Sequence, residues 1–99
     1  MNRDIFQAIA DPTRREILSL ITSKKMTPNS LAEKFPSSRQ AISKHIKILL
    51  ECNLLEQEKV GREIYYGFNP MKMKQVDKWI EQFRKKWTEK FNQLDELLK

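Results

Sequence analysis

The chain has 99 residues, 39% hydrophobic and 32% charged, with 19 Lys and Arg against 13 Asp and Glu for a formal net charge of +6. One domain spanning 1–99 is expected at that length, a second core is not, and the positive balance favours anionic partners. Apolar residues spread along the whole chain argue against disorder, no uninterrupted apolar run exceeds three residues, and a single Cys and a single His exclude an intramolecular disulfide or a His/Cys-rich metal site within one chain.

The N-terminal stretch MNRDIFQAIADPTRRE lacks the apolar core of an export signal, so a cytoplasmic protein is expected. Ile5, Ala8 and Ile9 predict a short first helix. Asp11-Pro12 then pairs a capping carboxylate with proline at the first helical position, opening a second helix whose apolar side is Ile17, Leu18, Leu20 and Ile21. Thr27-Pro28 repeats that start signal for a third helix with Leu31, Ala32 and Phe35, ending before Pro36.

Ser37 and Gln40 have the spacing of a capping box, and Ile42, His45, Ile46 and Leu49 keep a helical period after it. Between Leu54 and Phe68 the period shifts toward two, with Val60, Ile64, Tyr65, Tyr66 and Phe68 around a Gly61-Arg62 turn, which predicts a β-hairpin. Asn69-Pro70 is expected to cap a last helix over 70–98. In it Met73, Ile80, Trp87 and Leu94 fall seven apart, with Val76, Phe83 and Leu97 as a companion series that Lys90 interrupts.

Two short helices joined by a tight turn, then a hairpin, match a helix-turn-helix with an added wing. The expected fold is therefore mainly α, with one hairpin wing and a long C-terminal helix. On the fourth helix Gln40, Ser43, Lys44 and Lys47 are spaced i, i+3, i+4, i+7 opposite the apolar stripe, with Ser38 and Arg39 flanking its start. Gln can pair with adenine edges, Arg or Lys with guanine, and Ser with a base or a phosphate. A polar stripe on an amphipathic helix is by itself only a solvated face. The short helix before it, the hairpin after it and the net charge together favour double-stranded DNA as the partner. Lys59 and Arg62 near the hairpin tip are candidates to touch the DNA backbone or minor groove, although Glu58 and Glu63 beside them would repel phosphate if turned the same way.

A helix over 70–98 is about 43 Å long, more than a domain of this size covers. Trp79, Ile80, Phe83, Trp87 and Leu94 need another surface, and a homodimer supplies it, with Ile5, Phe6 and Ile9 of the first helix as further interface candidates. A two-fold dimer would set two reading helices about 34 Å apart on a palindromic site. Enzymatic function is disfavoured: Ser37, Ser38 and Ser43 lie in no nucleophile-elbow context and no glycine loop cradles phosphate. The rival function is a winged-helix module for protein contact, its aromatic last helix docked on another protein.

Three stretches, Ile9-Ala-Asp-Pro-Thr-Arg-Arg-Glu-Ile-Leu18, Ser43-Lys-His-Ile-Lys-Ile-Leu49 and Gly61-Arg-Glu-Ile-Tyr-Tyr66, resemble the ArsR family of bacterial winged-helix repressors. The long helix through Trp79, Trp87 and Leu97 is similar to that of its autorepressor-type members. The resemblance implies a homodimer joined through its first and last helices, with residues 37–50 and the wing on operator DNA, repressing transcription. Metal-sensing members use a Cys-x-Cys type site on the third helix or Asp/His sites on the last. Here Met26–Phe35 contains no cysteine, and the last helix has Asp77 and Glu81 one turn apart without histidine, so the carboxylates are expected to pair with Lys74, Lys78 or Lys85. No metal and no cofactor are expected; release then falls to a regulatory protein partner, or to no signal at all if the protein simply represses its own synthesis. His45, in the family's Ser-x-His, is expected to pack and orient its helix, with a phosphate contact as the alternative. Cys52 is expected to be a small core residue, with redox control of DNA binding as the alternative.

Overall fold

The computed structural model describes residues 4–98. In chain order these form α1 (Ile5–Ile9), α2 (Pro12–Ser23), α3 (Pro28–Glu33), α4 (Arg39–Glu51), β1 (Leu55–Val60), β2 (Glu63–Phe68) and α5 (Met73–Leu98). Both Pro-containing start signals work as their chemistry requires. The Asp11 carboxylate accepts from the Arg14 N–H at 3.1 Å and the Thr27 hydroxyl from the Ser30 N–H at 3.1 Å, each ahead of a proline that has no N–H to satisfy.

Three boundaries differ from the sequence expectation. Ser38 caps α4 in place of Ser37, its Oγ accepting from the Ala41 N–H at 3.1 Å. The third residue of the helix is therefore Ala41, which cannot reciprocate, and Gln40 is released from any capping role. Phe35 lies beyond α3, which ends at Glu33, with Lys34 closing its last turn onto the Leu31 carbonyl. The last helix begins at Met73 and not at Pro70. Asn69 spends its side-chain oxygen on the Met71 N–H at 3.1 Å, and Pro70 O then accepts from Met73 N at 3.1 Å, so a local turn precedes the helix.

The core is one cluster to which every helix and the base of the hairpin contribute. Ile17, Leu31, Leu49 and Leu54 are wholly buried, with Ile42, Ile46, Ile21 and Leu55 around them. The two strands pair antiparallel from Leu55↔Phe68 to Val60↔Glu63, and Gly61 sits at φ +65°, the first central position where a two-residue hairpin turn of this kind uses glycine. A backbone bridge between Met26 and Tyr66 (N to O 3.1 and 2.7 Å) ties the middle of β2 to the chain entering α3.

The C-terminus of α4 carries a feature absent from the sequence expectation. Asn53 adopts φ 59°, and Asn53 N and Leu54 N donate to Leu50 O and Leu49 O, both at 3.0 Å. This is a Schellman closure with asparagine in the left-handed position, sealed by the contact of buried Leu54 with buried Leu49. It sets the angle at which the chain leaves α4 for the wing.

Only Val76 of α5 is buried, with Met73 and Ile80 packed at the edge of the core. Past Phe83 every residue of the helix is exposed. The molecule measures 57 × 28 × 23 Å with a radius of gyration of 17.1 Å, against about 13 Å for a compact domain of this length. No helix among the described residues is long and apolar enough to cross a membrane.

Candidate nucleic-acid interface

One side of α4 is sealed into the core by Ile42, Ile46 and Leu49; Arg39, Gln40, Ser43, Lys44 and Lys47 stand on the other, all exposed, and Ser38 is exposed at the start. Among the described residues, those five side chains make no hydrogen bond or ion pair with the rest of the chain. The backbone N–H groups of the first turn complete a polar end suited to a phosphate oxygen.

The hairpin resolves the sign of its own charges. Strand partners share a face, so Lys59 and Ile64 lie on one side and Glu58 and Tyr65 on the other, with Glu63 on the side of Glu58. Both carboxylates are also occupied. Glu58 forms an ion pair with Lys25, which raises the Lys25 pKa chiefly through the hydrogen bond, while the stem of Lys25 lies across Gly67. Glu63 accepts from the Tyr65 hydroxyl at 2.9 Å, raising the Tyr65 pKa. Lys59 and Arg62 thus project from a wing whose two neighbouring carboxylates, Glu58 and Glu63, are engaged within the domain, while Glu56 lies further down β1 opposite Gly67.

His45 is partly buried at the border of the apolar stripe, as its place on the helix implies. Its Nδ1 lies 3.2 Å from Arg14 Nη1 and 3.9 Å from Asp11 Oδ1. A guanidinium only donates, so the Arg14 contact is a hydrogen bond when Nδ1 carries no proton, whereas a protonated ring would face Asp11 as its ion-pair partner. Burial works against the charge on Asp11, but the Arg14 backbone N–H and the facing His45 and Arg14 charges outweigh it and hold the carboxyl below its usual 3.8. Cys52 is a buried core residue with its Sγ toward Asp4 O at 4.0 Å.

On α5, Phe6 of α1 meets Trp79 edge to face at 5.6 Å, Trp79 meets Phe83 at 5.1 Å and Phe83 stacks on Trp87 at 5.7 Å. The row lies largely in solvent: Trp79 is 47% exposed, Trp87 44%, Phe91 64%, Leu94 51% and Leu97 82%. Ile80, Phe83, Phe6 and Ile9 are half-buried, whereas Ile5 is buried in the domain's own core and offers no surface to a second chain. The expected lysine pairings of Asp77 and Glu81 give way to Arg84, whose fork reaches Asp77 at 3.1 Å and Glu81 in the same arrangement. A carboxylate pair held by a guanidinium, with no imidazole or thiolate beside it, does not suit a transition-metal ion.

Residues 9–58 match a family described as a helix-turn-helix domain. Over 80 residues the chain is 36% identical to the transcriptional repressor SdpR of Bacillus subtilis, covering 81% of this chain and 89% of that protein. Among solved structures it is similar to an ArsR-like transcriptional regulator from Rhodococcus sp. RHA1 (TM-score 0.72, 34% identity, 94% of this chain and 88% of that one). It is also similar to a possible transcriptional regulator for arsenical resistance (TM-score 0.70, 40% identity, 78% and 80%). The fold and these relatives together define a winged helix-turn-helix transcriptional regulator that binds DNA. The chain belongs to the ArsR family of transcriptional repressors.

Three contributors escaped the sequence reading: Arg14, Arg15 and Asn53. The adjacent Arg14-Arg15 directly after a capping Asp-Pro, and an asparagine just past the last periodic residue of α4, were the available signals.

Proposed function

We propose that the protein is a homodimeric repressor that reads a palindromic operator with Ser38, Arg39, Gln40, Ser43, Lys44 and Lys47, steadied by Lys59 and Arg62 of the wing. The observation that carries this is α4 itself, packed on one face and presenting on the other an uncommitted row of Arg, Gln, Ser and Lys. Gln40 and Arg39 supply base readout, and Lys44 and Lys47 supply phosphate contacts. The second copy is argued from α5, whose Trp79, Trp87 and Leu94 carry more apolar surface than the domain covers, next to Phe6 and Ile9 of α1. Asp77 and Glu81, occupied by Arg84, support repression without metal sensing, so release is assigned to a competing protein or to autoregulation alone. DNA is met in the cytoplasm.

Capture of genomic fragments at near-physiological salt tests this, comparing wild type with Gln40→Ala/Ser43→Ala/Lys44→Ala. Enrichment of a few palindromic fragments by wild type alone is expected. A folded wild type that enriches none would move the assignment to a protein-docking module. Calorimetry with zinc is expected to show no stoichiometric binding coupled to DNA release.

A further inference from the structure

α1 has five residues, too few to hold itself together by its own hydrogen bonds. Its C-terminal carbonyls are taken up by two arginines of α2. Arg14 Nε donates to Ala8 O at 2.7 Å and Arg14 Nη2 to Gln7 O at 3.2 Å, while Arg15 Nη1 donates to Ile9 O at 3.0 Å and Ala10 O at 2.9 Å. Of these four carbonyls only that of Gln7 also accepts from the helix's own closing N–H, that of Ala10 at 3.3 Å; the other three are capped by the arginines. Arg15 does only this. Arg14 has a third bond, from Nη1 to His45 Nδ1 on α4, seven residues past the helix cap Ser38 and one turn beyond Ala41. The same α1 carries Phe6, edge-on to Trp79 of α5.

One planar cation therefore joins the helix that packs on the exposed aromatic row to the helix with the outward polar row. We propose that Arg14 is a positioning residue that couples the α1–α5 face to the orientation of α4 through His45. The Arg14 guanidinium is spent on Ala8, Gln7 and His45, and a second copy covering Trp79 and Phe6 would restrain α4 through it. The inference rests on α4 as the reading helix and the α1–α5 face as the dimer surface. Lysine cannot replace arginine here, because one ammonium cannot span two carbonyls and an imidazole nitrogen in a fixed fork. Asparagine at 45 keeps an acceptor near the place of Nδ1, whereas leucine removes it.

Two measurements decide it. In hydrogen exchange of the free protein, Trp79→Ala is expected to speed exchange of α4 amides several-fold in an otherwise wild-type chain and to have no further effect in Arg14→Lys. Unchanged α4 exchange, or the same increment in both backgrounds, overturns the coupling. On fragments selected by wild type, Arg14→Lys and His45→Leu are each expected to weaken binding about tenfold, the double variant no more than either, and His45→Asn to restore most of the affinity. Additive losses, or no rescue by asparagine from a protein that melts like wild type, overturn it too. If wild type selects no DNA, the operator reading fails and the exchange experiment still decides the coupling.

Discussion

α4 and α5 are both amphipathic, yet they have opposite fates. The apolar side of α4 is finished within one chain: Ile42, Ile46 and Leu49 are each at most 3% exposed, and its polar side is what remains for a partner. On α5 the apolar side is the unfinished one, with Val76 alone buried and Trp87, Phe91 and Leu94 in solvent. A helix completed by its own domain can present polar groups without cost to folding. A helix that is not completed has its stability tied to whatever covers it.

The sharpest way to break this contrast is to damage each apolar face in turn. Leu49→Ala is expected to cost about 2–5 kcal/mol at every protein concentration, whereas Leu94→Glu should leave the domain core intact and abolish the concentration dependence of the melt. Denaturant unfolding at two protein concentrations checks both, and a concentration-independent wild type would refute the dimer. Next in size, Gln40→Ala should lose about 1–3 kcal/mol of preference for the selected operator while keeping non-specific affinity. Lys44→Ala should weaken binding to all sequences and flatten the salt dependence by about one unit of slope. Titrations at several salt concentrations separate the two.

Asn53→Ala should destabilise by about 1 kcal/mol and Asn53→Gly should not, since only the left-handed backbone is at stake; urea melts distinguish them. The smallest effect belongs to Asp11→Asn, which keeps the cap and removes the charge. Because the folded Asp11 pKa is lowered from 3.8, its contribution is complete above that value and is lost as pH falls through the folded pKa. Wild type should therefore be the more stable at pH 7, with the gap closing toward pH 3, as urea unfolding across that range would show.

What was legible beforehand follows the range of the interactions. Asp11-Pro12 and Thr27-Pro28 act on backbone groups three residues away, and their positions were right. Ser37 and Ser38 offer the same oxygen, and the choice between them depends on how the chain turns out of α3, which no local pattern specifies. Asn69 was misread because its side chain closes a turn two residues on before any helix begins. The polar row of α4 needed only the helical period, whereas the Arg14 to His45 bond and the Lys25 to Glu58 pair span 31 and 33 residues and come into being with the fold.

The wing is pinned midway along β2 by both Met26–Tyr66 bonds and at its base by Asn69 N donating to Leu54 O at 2.9 Å. Its freedom is thus confined to the end around Val60, Gly61, Arg62 and Glu63. An arm that met DNA as a loose loop would surrender about 1–2 kcal/mol of backbone entropy for each residue it ordered. Here that loss was taken when the domain folded, so seating the wing on a phosphate backbone freezes little more than the side chains of Lys59 and Arg62.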